Sequence, residues 1–446
     1  MHSSKKTVLK ACLALALGAL AGAAGAAGLG REQIMAFIAQ PAPEPLPAAG
    51  AVLHQADMPL VRQLLPPGYA EEFDFPDLEM EIQATAHYQP HQTYRDATGK
   101  FAGQAKLGAD GTLENYTSGQ PFSAAQIEAA TPDQAGLMIA WNRVYRWQYF
   151  GWQTDLITMN YLRPTSDGRP GKLNEGHEGG GYVDRFVTQS YHRVYLNHLA
   201  MRPEKDYRLK ASNSDVRHFK DYMEFFEPYD VAGTRFIVER ALDTHEEDQV
   251  SSFLPSQRRV RRLSAQERAD NFMGADMNMD DFEGFSGRVL DWSWTYLGKR
   301  QLLHVTDAKG PTSTFFGPMS RVPKERWQVR PAYAVEIKSK WEGHPYASKI
   351  IFFDTETWNC ISALAFNRKG EVWRMFSAIY SMTPNVGDPS VPIEQSVPRW
   401  NATIAIDRLN ASATVARANK PTLTPTMTEP QTESIFNVSK LTEGRR

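Results

Sequence analysis

Cysteine is nearly missing: among 446 residues only Cys12 and Cys360 occur. Cys12 lies in an alanine-rich N-terminal stretch that reads as a removable leader, and Lys10-Ala11 before it does not make a lipoprotein acylation site. That leaves Cys360, which cannot form an internal disulfide, so the fold must be held by packing. An excess of one charge is lacking too. The formal net charge is -2, which gives no case for nucleic acid as a partner. Beyond the N-terminus no apolar run is long enough to cross a membrane.

Motifs that carry chemistry are equally scarce. His245-Glu246-Glu247 lacks the second histidine of a zinc helix, because position 249 is Gln. His177-Glu178 has no supporting ligand pattern. Asp276, Asn278, Asp280 and Asp281 resemble the start of a calcium loop, but Asp281 stands where glycine is needed and Gly287 where glutamate is needed. An acidic turn between strands and a calcium site both stay open there. Gly284-Phe285-Ser286-Gly287 is one residue short of a nucleophile elbow. Gly179-Gly180-Gly181 lacks the following lysine and hydroxyl of a phosphate loop. No metal, no cofactor and no catalytic residue is assigned, and the chain is expected not to be an enzyme.

What the chain does have is apolar and aromatic surface: 42% hydrophobic and 11% aromatic residues, with 22% charged. Lys5, Lys6 and Lys10 precede the apolar run Ala11–Ala21, and small residues follow. This is a signal-peptide pattern, expected over 1–26 with cleavage after Ala23 or Ala26, and it implies export to the periplasm. Residues 27–64 are expected as a linker with short helices at Arg31–Ile38 and Met58–Leu65. The main domain is expected over 65–420, with a segment to residue 199 that covers or extends the sheet, and 421–446 as a polar, loose tail.

Within the domain, Pro132–Phe150 has the spacing of a helix. Most other segments alternate as strands: Glu79–Tyr94, Gln153–Tyr161, Arg185–Leu199, and nearly everything from Phe219 onward. Short links make the later strands an antiparallel meander, since parallel crossovers need a dozen residues or more. Trp400–Val415 is expected as an edge pair. Several strands are apolar on both faces, so both faces of the sheet must be covered.

The stretch Phe253–Leu297 is the most distinctive. Its second strand puts Trp292, Trp294 and Tyr296 on one face and Asp291, Ser293 and Thr295 on the other. Tyr333, Val335 and Ile337 form a second apolar stripe. Its first strand carries four arginines; Arg259 and Arg261 share one face, and Arg258 and Arg262 the other.

The runs QRRVRRLS, DNFMGADMNMDDFEGF and WSWTYLGKRQLL in this stretch carry a resemblance. So do LENYTSGQPF (Leu113–Phe122), RPAYAVEIKSK (Arg330–Lys340), HPYASKIIFFDTETW and FNRKGEVWRM. The chain resembles the exported bacterial proteins grouped as the domain-of-unknown-function family numbered 1329, often labelled outer-membrane lipoprotein-sorting proteins. The resemblance implies a mainly β fold similar to the LolA and LolB carriers: a strongly curved antiparallel sheet, an unclosed barrel, with helices on its concave face. It also implies work beside a resistance-nodulation-division transporter and an outer-membrane-associated partner.

The expected function is thus a periplasmic binding protein or carrier for a lipid or other hydrophobic small molecule, lined by Trp292, Trp294, Tyr296, Tyr333, Val335 and Ile337. Arg259 and Arg261 would meet an anionic headgroup. An envelope adaptor with a filled core is the alternative, and a hydrolase of hydrophobic esters ranks last because no nucleophile and base share a motif.

Overall fold

A computed structural model describes residues 28–165, 172–211, 213–382 and 397–443. The expected signal peptide lies outside the described residues. The first strands are short: β1 (Val52–Leu53), β2 (Met80–Ile82), β3 (Lys106–Leu107) and β4 (Leu113–Glu114). Long strands follow: β5 (Gly151–Arg163), β6 (Tyr182–Tyr195), β7 (Arg217–Glu227), β8 (Arg235–Ala241), β9 (Gln249–Leu254) and β10 (Arg259–Leu263). Next come β11 (Trp292–His304), the small pair β12 (Phe315–Phe316) and β13 (Val322–Pro323), and β14 (Arg326–Ser339). The last are β15 (Ser348–Asp354), β16 (Cys360–Phe366), β17 (Val372–Ser381), β18 (Arg399–Asp407) and β19 (Ser412–Ala418). The α-helices are α1 (Arg31–Ala39), α2 (Met58–Leu64), α3 (Gln92–Lys100), α4 (Ala124–Ala129), α5 (Pro132–Val144) and α6 (Glu429–Ile435). Among the described residues no helix is long and apolar enough to cross a membrane.

Fifteen strands form one sheet in the order β1-β2-β14-β15-β16-β17-β18-β19-β5-β6-β7-β8-β9-β10, with β11 also paired to β14. All pairings but β2 with β14 are antiparallel. The end strands do not meet, so the barrel is unclosed, as the family resemblance implied. The strands at Trp400–Val415 depart from the expected edge position. β18 pairs β17, and β19 pairs β5 from Ala413↔Leu162 to Ala418↔Ile157. They form the middle of the sheet and join its two halves. Position in a sheet is decided by partners far away in sequence, and local alternation does not encode it.

Alternation along the strands sorts side chains into two cores. Ala334, Ile350, Phe352, Leu364, Met375, Ile404 and Val415 point to the outer face, where they bury Ile34, Phe37, Val61, Leu64 and Phe73 of the N-terminal segment. Tyr333, Val335, Ile351, Ala363, Phe376, Trp152, Tyr191 and Val238 point to the opposite, inner face. The two apolar faces are therefore both covered. α5 covers β11 and β14 on the inner face. It starts on a capping box, Thr131 with Gln134, with Pro132 in its first turn.

Three local departures stand out. Glu79–Tyr94 is strand only at Met80–Ile82, then runs extended beside β14 through Gln83 N–H to Trp327 O (2.8 Å) before α3 begins. α5 ends at Val144, because Tyr145 leaves helical geometry. The polar C-terminal stretch is packed: Met427, Phe436 and Leu441 are buried with Val194, Tyr222 and Ile237 on the outer face of the second half.

Candidate functional site

The segment between β10 and β11 crosses the inner face as a lid. It contains no strand and only short 3-10 turns, and its backbone turns left-handed at Met273 (φ 54°) and Glu283 (φ 48°). Its apolar side chains meet aromatic residues from both halves of the sheet. Phe282 stacks on Trp152 of β5 (5.9 Å, 16°) and Tyr191 of β6 (5.2 Å, 27°), and sits tilted against Trp400 of β18 (6.0 Å). Such pairs contribute roughly 0.5–1.5 kcal/mol each beyond the area they bury.

Four of the lid's acidic residues, Asp276, Asp280, Asp281 and Glu283, are turned inward and find partners. The Asp281 carboxylate accepts from Lys349 Nζ (2.5 Å) and from the Tyr346 hydroxyl (2.6 Å), all three buried. Glu283 meets Arg146 at 3.0 Å and Arg143 at 3.5 Å. Burial alone would raise the Glu283 carboxyl, but the two guanidiniums hold it below the usual carboxylate range. Asp276 accepts from the hydroxyls of Ser412 (2.7 Å) and Thr414 (3.0 Å); burial raises its carboxyl despite them. Asp280 pairs with Arg268, which also reaches Asp248 (3.3 Å). A buried ion pair is costly to break on one side only, about 3–5 kcal/mol. These contacts are the lid's fasteners. They also occupy the carboxylates of the calcium-like sequence, and among the described residues no group of three or more metal-ligating side chains forms.

Between the lid and β6–β8 lies a narrow cleft. Phe272, Met277, Met279 and Phe282 form its roof, and Tyr191, Phe219, Met223 and Val238 its floor. Asp221, Arg240, Arg268 and Asn278 supply a few polar groups. Asp221 is held by Arg193 through two bonds of 2.6 and 2.7 Å. The open volume is about 50 Å³, room for a few water molecules. Anything larger needs the lid to move.

The register explains the floor. Tyr191, Met223, Phe236, Ser252 and Arg261 face one another in sequence across β6 to β10. The row therefore runs from the cleft to the free edge of the sheet, where Arg261 ends it. Arg259 stands one position further along the same face. Both arginines are exposed.

The aromatic stripes lie elsewhere. Trp292, Trp294, Tyr333, Val335 and Ile337 are buried, and Tyr296 is half-buried. α5 sits directly over β11, so closely that a Cβ on Gly136 would lie 2.8 Å from the Trp294 and Thr295 backbone. The structure brings these six together under α5, and it sets Arg259 and Arg261 apart from them at the opposite end of the sheet. Sequence reasoning did not single out the cleft residues. The signal available was the clustering of Met273, Met277 and Met279 in a segment without periodicity, since methionine suits adaptable apolar surfaces.

An open, doubly covered β-sheet with a lid over its inner face defines a class of β protein built around an apolar interior. Residues 52–442 match the family described as protein of unknown function DUF1329, and the chain belongs to that family. A relative, an uncharacterized protein of Pseudomonas aeruginosa, is 24% identical over 318 residues, which is 65% of this chain and 61% of that protein. Among solved structures the chain is similar to a putative outer membrane lipoprotein-sorting protein domain from Vibrio parahaemolyticus. There the identity is 15% and the TM-score 0.45, over 70% of this chain and 99% of that one. It is also similar to a DUF1329 family protein from Desulfovibrio piger, with 13% identity and a TM-score of 0.44 over 70% and 100% of the two chains. A LolA superfamily protein from Nitrosomonas europaea is more distant, at 11% identity and a TM-score of 0.34 over 65% and 91%.

Proposed function

We propose that this protein is a periplasmic carrier of a hydrophobic compound, without catalytic activity, and that the guest enters between the lid and the inner face of β6–β8. One observation carries the reading: the inner face of the sheet's second half is roofed by a methionine-rich segment without regular structure, fastened by side-chain contacts. Burying each methylene of a guest stabilises the complex by about 0.8 kcal/mol, so a chain of ten or so carbons offsets the loss of about two buried lid contacts. The stripe of Trp292, Trp294, Tyr296, Tyr333, Val335 and Ile337 belongs to the half that α5 keeps closed and reaches a guest only if α5 shifts. Delivery runs to a resistance-nodulation-division transporter and an outer-membrane-associated partner, as the sequence resemblance implies.

The test is uptake of a fluorescent fatty-acid probe by the whole chain, together with native mass spectrometry after gentle extraction. The unaltered protein is expected to bind the probe or carry a co-purifying lipid, and Val238→Trp, which fills the floor, to weaken uptake by about tenfold or more. The narrow cleft favours one other reading, an adaptor with a filled core. No probe binding, no lipid and a stable transporter complex would establish that instead.

A further inference from the structure

We infer that the end of the sheet formed by the β7–β8 and β9–β10 turns docks on an anionic lipid bilayer. The two turns lie side by side: a Cβ on Gly233 in the first would come 3.2 Å from Pro255 in the second. Arg185 of β6 reaches Asp230 at 2.9 Å, so the start of β6 belongs to the same tip. Tyr229 stands at its apex with 98% of its surface in solvent, and Phe226 (42%) and Phe186 (36%) are exposed beside it. Phe226 is placed there by a bulge: Phe225 faces Gln189 and Glu227 faces Thr188, leaving Phe226 as the extra residue. Bulges commonly re-aim a side chain in this way.

The charge at this tip is positive. Arg258, Arg259, Arg261 and Arg262 are all exposed, and among the described residues none of the four guanidiniums has an ion pair. Of the neighbouring acids, Asp230 is already paired with Arg185, and Glu227 accepts from the Thr188 hydroxyl. Arginines alone would protect a free sheet edge from pairing with another strand. That does not account for an uncovered tyrosine and two phenylalanines at the same end. Aromatic rings with a polar or exposed rim suit the boundary between headgroups and acyl chains, and arginines suit the phosphates above it.

The geometry favours a bilayer over an acidic peptide. A peptide adding to the edge would read one row of side chains, whereas these arginines leave β10 on both faces. A planar surface approached end-on meets both. The inference goes beyond the carrier reading and stands without it, because vesicle binding is measured with the cleft unchanged.

The experiment is co-sedimentation of the whole chain with vesicles of phosphatidylglycerol and phosphatidylethanolamine, and with vesicles of phosphatidylcholine. Binding to the anionic vesicles is expected at low salt, weakened by added salt, and absent from phosphatidylcholine. Replacing Arg258, Arg259, Arg261 and Arg262 by Gln is expected to lower partitioning by about a hundredfold, given the attraction each cation feels near an anionic surface. Tyr229→Ser with Phe226→Ser is expected to lower it by about tenfold while leaving the salt dependence in place. Thermal melts of each variant confirm that the fold survives these surface changes. Absence of binding to the anionic vesicles, or binding that the four-arginine variant retains in full, overturns the inference. So does a four-arginine variant that loses an acidic protein partner while keeping its lipid binding.

Discussion

His177 and His304 are buried, and each is wired as a neutral ring. In His304, Nε2 faces the Ala378 carbonyl (2.7 Å) and so carries the proton, leaving Nδ1 to accept from the Thr306 hydroxyl (2.8 Å). In His177, Nδ1 donates to the Ser320 carbonyl (2.8 Å), and Nε2 accepts from the Asn160 amide (3.0 Å). Burial lowers both rings to about 4. In the unfolded chain they titrate near 6.5. Between those values the unfolded state binds the extra proton, so the stabilisation is complete above about pH 6.5 and lost as pH falls toward 4, by about 1 kcal/mol per histidine per pH unit. Thermal melts from pH 7.5 to pH 4.5 should therefore show a steep fall in Tm. His304→Asn should melt lower at pH 7.5 but with a shallower slope.

At the scale of elements, the seating of α5 on β11 decides how the inner face is closed. Alanine in place of glycine ordinarily favours a helix by about 1 kcal/mol. At Gly136 the added methyl would meet strand backbone, which cannot rotate away. We expect Gly136→Ala to cost about 1–3 kcal/mol in denaturant unfolding, against the sign of helix propensity. Elements of this kind were legible in advance: α5 from its apolar spacing, and β14 to β17 from alternation between turn residues. The lid was not. Its inward side chains include Asp281 and Glu283, while Phe282 between them is half-buried, so polarity and burial run opposite to the usual pattern. That arrangement depends on Lys349, Arg143 and Arg146, which no local pattern connects to it. α3 was missed for a related reason: only Tyr94 and Ala97 among its side chains are buried, too few to mark a period.

Across the whole molecule, each half of the sheet is backed by one end of the chain. The N-terminal segment backs β14 to β19, and the segment after Thr422 backs β6 to β8. Deleting residues 421–446 would uncover Val194, Tyr222 and Ile237 and release the contact from Arg235 to the Leu441 carbonyl (2.9 Å). We expect the shortened protein to lose several kcal/mol of stability and to bind a dye for exposed apolar surface, which melts and dye fluorescence would show. That an antiparallel sheet would have both faces covered was readable because short links and two-sided apolar strands demand it; its curvature came from the family resemblance. Strand order was not, since it rests on pairings such as Ala418 with Ile157. That pairing governs assembly as well. The central strands are among the last in the chain, so the two halves of the sheet cannot be joined until residues 399–418 are made. Closing a loop of that length makes completion a late and slow event. A chain that locks only when its final strands arrive is one that a translocation machine can still thread.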